Sequence, residues 1–185
     1  DVFASLNEDI DEALSDYDYS TVFDLMHEEL QSVWEELNRV VVDGGIVCIN
    51  IGDATRSVPD GQFQLWPNHT RITETMETVG FTTLPSITWK KQTNSPTKYM
   101  GSGTLPPNQY VTQEHEHILV FRNGELRSDI SERRPSAYFW EERNRWFSEQ
   151  WDITGVDQTV SSGSGRDRSA AYPFIIPYRL INMYS

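Results

Sequence analysis

The soft metal donors of the chain are His27, His69, His115, His117 and the single cysteine, Cys48. None stands at the short Cys/His spacing that a zinc site uses. In His115-Glu116-His117 the two imidazoles alternate along a strand and point the same way, but the sequence supplies no third ligand, so the expectation is no metal. No Gly-x-Ser-x-Gly elbow or Walker loop occurs, and Gly101-Ser-Gly103 lacks the strand-turn-helix setting of a phosphate loop. Charge is more informative. Lys90, Lys91 and Lys98 lie in residues 86–100 without an acid, and residues 122–145 carry six arginines among five acids. Both segments are candidate anion-facing surfaces. Asp53 directly follows an apolar, β-branched run, the place where an open α/β sheet carries its ligand-facing residues.

The 185 residues suffice for one domain with a buried core. With 37% hydrophobic and 23% charged residues the composition is that of a soluble globular domain, and no apolar run is long enough to cross a bilayer. Cys48 has no partner for an internal disulfide and suits a reducing cytoplasm. The formal charge of −13 is carried by the first 60 residues, where fifteen acids face two arginines, while the remainder is neutral. Only three of the fifteen basic residues are lysine, a balance that resembles proteins adapted to high salt. The chain opens at Asp1 without a signal peptide and stops just past an apolar helical pattern, which reads as an excerpt from a longer polypeptide.

Val22, Met26, Leu30, Val33, Trp34, Leu37 and Val41 share one face of a helix. Thr21 with Asp24 is its expected capping box, and Asp43-Gly44-Gly45 its stop. The run from Ile46 to Ile51 suits a strand buried on both faces of a parallel sheet. A polar loop follows, then a helix from Asn68 with Ile72, Met76 and Val79 inward and Gly80 as its cap. Residues 81–89 and 117–122 read as strands that pair antiparallel, the second closed by Asn123-Gly124. The stretch of about 25 residues from Lys91 to Glu116 is a loop of the kind that is usually functional or disordered. Beyond residue 128 the rhythm breaks. An aromatic helix puts Trp140, Asn144, Phe147 and Trp151 on one face, residues 158–168 are a Ser/Gly-rich connector, and a last helix has Pro173 near its first turn and buries Ile176, Leu180 and Met183.

Three blocks then stand out in order: Glu36-Leu-Asn-Arg-Val-Val-Val-Asp-Gly-Gly-Ile-Val-Cys-Ile-Asn-Ile-Gly-Asp53, Gly80-Phe81 with Ile87-Thr-Trp-Lys90, and Tyr110 with Glu114-His-Glu-His-Ile-Leu-Val-Phe121. They are joined by Lys91-Gln-Thr-Asn-Ser-Pro-Thr-Lys98, Met100-Gly-Ser-Gly-Thr-Leu-Pro-Pro107, Ser136-Ala-Tyr-Phe-Trp-Glu-Glu-Arg-Asn-Arg-Trp-Phe147, and Arg168-Ser-Ala-Ala-Tyr-Pro173 with Tyr178-Arg-Leu-Ile181. This set resembles the S-adenosylmethionine-dependent DNA amino-methyltransferases, in the branch whose catalytic half precedes its cofactor half, over essentially all of residues 20–185. The resemblance implies an α/β, three-layer Rossmann-like methyltransferase domain with a mostly parallel sheet and one antiparallel strand, present as a fragment. Residues 1–127 would be the catalytic half, 128–168 the target-recognition insert and linker, and 169–185 the helix leading into the cofactor half. The family's (Asp/Asn/Ser)-Pro-Pro-(Tyr/Phe) tetrapeptide belongs upstream and its Phe-x-Gly-x-Gly loop downstream. Neither occurs in this chain.

The implied activity is transfer of a methyl group from S-adenosylmethionine to the exocyclic amino group of a flipped base in double-stranded DNA. Cytosine N4 is favoured. The alternatives are adenine N6 on the same scaffold and a methyltransferase-like module that only binds DNA. A cognate restriction enzyme is the implied partner. For the base pocket the resemblance singles out Asp53, Trp89 and Glu116. Asp53 could equally cap the next turn, Trp89 could pack in the core, and Glu116 could orient loop backbone. Ala170, Tyr172 and Pro173 would form one wall of the cofactor site, with Tyr172 as helix-start packing the rival reading. Lys90, Lys91, Lys98, Arg133, Arg134 and Arg143 would meet DNA, Lys90 and Lys91 at phosphates, although Arg143 could instead pair along its own helix.

Overall fold

The computed structural model describes residue 13 and residues 18–57, 63–91, 100–101, 109–127, 138–155 and 173–185. Helix α1 (Tyr19–Val40) leads into β1 (Ile46–Ile51), a β2–β3 hairpin (Ala54–Ser57, Phe63–Trp66), α2 (Asn68–Val79) and β4 (Phe81–Lys90). A two-residue ladder of β5 (Met100–Gly101) with β6 (Gln109–Tyr110) precedes β7 (His115–Asn123). Then come α3 (Trp140–Trp146), β8 (Gln150–Asp152) and α4 (Ile175–Tyr184). Four strands form one mixed sheet in the order β1-β7-β4-β8, with β7 antiparallel to β1 and β8 parallel to β4. Two compact units divide the chain: Asp1–Ser86 with His117–Ile130, and Ile87–Glu116 with Ser131–Ser185.

In the first unit, α1 starts ahead of the point where the capping-box reading placed it. Asp18 is the N-cap and its carboxylate accepts from the Thr21 amide at 3.1 Å and from the Thr21 hydroxyl at 2.5 Å. Asp24 is instead paired with Arg71 of α2 at 2.8 Å. The chain leaves the helix at Val41, ahead of the glycines. Its last carbonyls do not stay orphaned: the buried side chain of Asn123 donates to the carbonyls of Asn38 (3.1 Å) and Val41 (2.6 Å), and accepts from the Asn38 side chain at 2.9 Å. The apolar stripe of α1 and the inner face of α2 close over the sheet through Trp34, Ile72, Met76, Phe81, Leu119 and Phe121. Burial of side chains of this size contributes about 1.5–3 kcal/mol each. Gly80 ends α2 at φ +117; a Cβ there would meet nothing nearer than Asn38 Nδ2 at 3.5 Å, so backbone conformation and not space demands glycine.

The strand β1 corrects the doubly buried, parallel reading. It is half-buried along its whole length and its hydrogen-bonded neighbour is antiparallel, with Ile51 opposite His117. Val47, Ile49 and Ile51 face the core cluster. Cys48, pointing the other way, is half-buried, and loss of water there pushes its thiol pKa up to about 12. The polar loop after β1 contains the β2–β3 hairpin, which lacked the alternating pattern that marks a strand in sequence.

In the second unit the aromatic segment is arranged differently from the expected single helix. Helix α3 is seven residues long and ends at Trp146, and Trp151 lies in β8 opposite Trp89. Trp146 and Trp151 are buried, whereas Trp140 is 70% exposed and Phe147 42%. The Trp151 indole N–H bonds the Trp146 carbonyl at 3.0 Å, using an acceptor that the short helix leaves open. In α4, Ile176 is buried as expected, while Leu180 and Met183 are half-buried.

Candidate functional site

Among the described residues two places gather polar side chains that could do chemistry, one in each unit. In the first unit the carboxyl end of β1 meets the first turn of α2. The Asp53 side chain, 7% exposed, accepts the His69 backbone N–H at 3.1 Å, and its two oxygens lie 2.8 and 2.7 Å from His69 Nδ1. A carboxylate only accepts, so Nδ1 carries the proton of this pair. One residue back on each element the contact repeats: Asn68 donates to the Gly52 carbonyl at 2.9 Å, and its side-chain oxygen faces Nε2 of buried His27 at 3.0 Å. His117, at the start of β7, stacks its ring on His69 with centroids 4.1 Å apart and planes 21° apart. One potential ligand atom each from Asp53, His69 and His117 lies within 4.8 Å of the other two.

Asp53 was expected from the sequence, both as a pocket residue and as a cap; it caps α2, further along the chain than the next turn. His69 was missed. Residues 53, 69 and 117 have no motif spacing, and the only available signal was that each falls at the end of an apolar run or the start of a helix or strand. His117 does acquire neighbours of the kind that the sequence reading found lacking, supplied by β1 and α2.

In the second unit Trp89, Lys91 and Glu116 are brought together. Trp89 is 3% exposed and its indole donates to the Ile153 carbonyl at 2.8 Å, as a packed core residue does. Lys91 extends over the Trp89 ring, 5.6 Å from its centroid, and forms an ion pair with Glu116. The Lys91 amide donates to the Glu114 carbonyl at 3.0 Å, tying the end of β4 to the approach to β7. Lys90 is exposed. Arg143 sits over both Trp140 (5.3 Å) and Phe147 (5.6 Å), so its guanidinium is held by rings and not by an acid of its own helix. Pro173 is buried just ahead of α4. Lys98, Arg133, Arg134, Ala170 and Tyr172 lie outside the described residues.

A family model described as DNA methylase, covering N6 and N4 amino-methyltransferases, matches residues 7–185. The chain belongs to the N6/N4 DNA methylase family. It is 54% identical over 191 residues to the type II methyltransferase M.MthZI of Methanothermobacter thermautotrophicus, covering 100% of this chain and 54% of that protein. To the type II methyltransferase M.MjaI of Methanocaldococcus jannaschii it is 52% identical over 167 residues, 89% of this chain and 54% of the relative. The chain thus spans about half the length of the curated relatives it matches. Among solved structures, a Thermus thermophilus protein described as a putative DNA modification methylase, crystallised with S-adenosyl-L-methionine, superposes with a TM-score of 0.68 at 28% identity, over 88% of this chain and 59% of that one. The Rossmann-like α/β fold expected of an N6/N4 methylase is thereby borne out. Among the described residues no helix is long and apolar enough to cross a membrane.

Proposed function

We propose that this chain is the base-facing part of a type II DNA methyltransferase that transfers a methyl group from S-adenosylmethionine to the N4 amino group of cytosine in double-stranded DNA. The observation that carries the methyltransferase reading is the 54% identity to a named type II methyltransferase across the whole chain; the choice of cytosine N4 rests on the resemblance of residues 93–121 to enzymes of the Ser-Pro-Pro-Tyr form. The amino group of a base in a duplex is conjugated with the ring and is a poor nucleophile, so catalysis rests on extracting the base and positioning it in line with the methyl donor. Residues 1–127 supply the scaffold for that step.

S-adenosylmethionine, when bound, supplies the electrophilic sulfonium methyl. Buried Pro173 at the entry to α4 fits an apolar wall for such a cofactor, and the resemblance assigns Ala170 and Tyr172 to the same cofactor site. Lys90, Lys91 and Lys98 meet backbone phosphates, which position the enzyme without specifying sequence. Residues 128–168, with Arg133, Arg134 and Arg143, select the target. The contacts of Arg143 with the exposed rings of Trp140 and Phe147 support this, because they hold a guanidinium at the surface, where it can meet a base edge or a phosphate. As in other modification systems, a restriction enzyme of the same specificity is the expected companion.

The test is nucleoside mass spectrometry of DNA from cells expressing the full-length protein. N4-methylcytosine supports the assignment. N6-methyladenine transfers it to the other base on the same scaffold, and no modified base favours a module that binds DNA without catalysis.

A further inference from the structure

The side-chain cluster at the carboxyl end of β1 has more in it than a helix cap requires. One carboxylate and two imidazoles converge from three separate elements: Asp53 after β1, His69 in the first turn of α2 and His117 at the start of β7. Their bases are pinned by neighbouring contacts. Asn68 ties α2 to Gly52 while its other end is engaged by His27, and the register of β1 with β7 puts His117 opposite Ile51. Two nitrogen donors and one oxygen donor, borderline in softness, are the set that late first-row divalent cations prefer, with a fourth position left for water.

We propose that Asp53, His69 and His117 form a binding site for a divalent transition-metal cation of the zinc or cobalt class. Metal–ligand bonds of about 2.0–2.2 Å place tetrahedral ligand atoms about 3.3–3.6 Å apart. The 2.7–2.8 Å between Asp53 and His69 Nδ1 therefore opens slightly, while the widest separation, 4.8 Å at most, closes by about an ångström. Both imidazoles must turn out of their stack, whose planes lie 21° apart, for their nitrogens to point at one cation, and the His69 side chain is 34% exposed. Binding at Nδ1 places the cation where the Nδ1 proton bonds Asp53, and the ring keeps its one proton on Nε2. The cation would clamp β1, α2 and β7 together, whichever base the protein methylates.

The experiment uses the full-length protein purified without a polyhistidine tag and stripped with chelator. Cobalt(II) is titrated while visible absorption is read, and zinc(II) is titrated by calorimetry. One equivalent per chain is expected at this site, weakened at least tenfold in His69→Gln, His117→Gln and Asp53→Asn; the last keeps an oxygen acceptor for the His69 amide. In the unsubstituted protein, zinc should shift the His69 and His117 ring resonances together and leave those of His27 and His115 in place. The proposal is overturned if the stripped protein takes up no metal, if the three variants bind as tightly as the parent, or if the resonances that move belong to other histidines. The ring shifts decide the matter even where a variant fails to fold.

Discussion

Asp53 holds His69 twice, at its backbone N–H and at its ring Nδ1, across fifteen intervening residues. The contact satisfies an amide that the start of α2 would otherwise leave without a partner, since the N-cap itself, Pro67, offers no side-chain acceptor. Asp53→Ala removes both bonds at a nearly buried position and is expected to cost about 1–3 kcal/mol. Asp53→Asn, which retains an acceptor, should cost less. Chemical denaturation with chelator present checks both, and equal losses for Ala and Asn would contradict the bonding described.

Asn123 closes the far end of α1 and is buried, so its removal strands the carbonyls of Asn38 and Val41. Asn123→Ala is expected to lower stability by about 2–3 kcal/mol, and Asn123→Asp by a similar amount because a carboxylate cannot donate to those carbonyls. A stability change that stays within measurement error in either variant would contradict the clasp.

His27 gives a pH dependence with a definite sign. Burial depresses its pKa below 6.5; the Asn68 hydrogen bond opposes that shift, nearby Arg71 adds to it and Asp24 opposes it. The unfolded chain therefore binds the proton more readily than the folded one, and the contribution to stability is complete above pH 6.5 and falls as pH drops from there toward the depressed folded value. The melting temperature should decline from about pH 7 to about pH 5.5, and more shallowly in His27→Gln, which keeps a donor for Asn68. Identical slopes in parent and variant would assign the acid sensitivity elsewhere.

Much of this architecture is legible in the sequence because period and punctuation agree. Helix α2 runs from Asn68 to Val79 as the spacing predicts, and Gly80 takes the left-handed cap that its position implies. The aromatic segment misleads because Phe147 and Trp151 continue the helical spacing of Trp140, and nothing local shows that hydrogen bonding to Trp146 and pairing with β4 turn the chain into β8. Asp53 stands out from its place after an apolar strand. Its partners do not, because His69 and His117 are assembled by tertiary packing from distant segments and follow no motif.

Lys90 and Lys91 are adjacent but differ in environment, and their variants should differ too. Lys90→Ala in the full-length protein is expected to weaken DNA binding on all sequences and to reduce the salt slope of log K by about one. Lys91→Ala should lower the salt slope as well and in addition remove the ion pair with Glu116, a loss that Glu116→Gln should partly offset. Salt slopes that are unchanged for Lys90→Ala would remove this lysine from the interface.

The most direct test is a single-turnover reaction of the full-length protein with methyl-labelled S-adenosylmethionine and duplex DNA containing its target. One methyl group per enzyme should enter the DNA, at cytosine N4, and none should enter DNA from which the target is absent. Tight, specific binding of that duplex with no label transferred would contradict the assignment of this chain to a working methyltransferase.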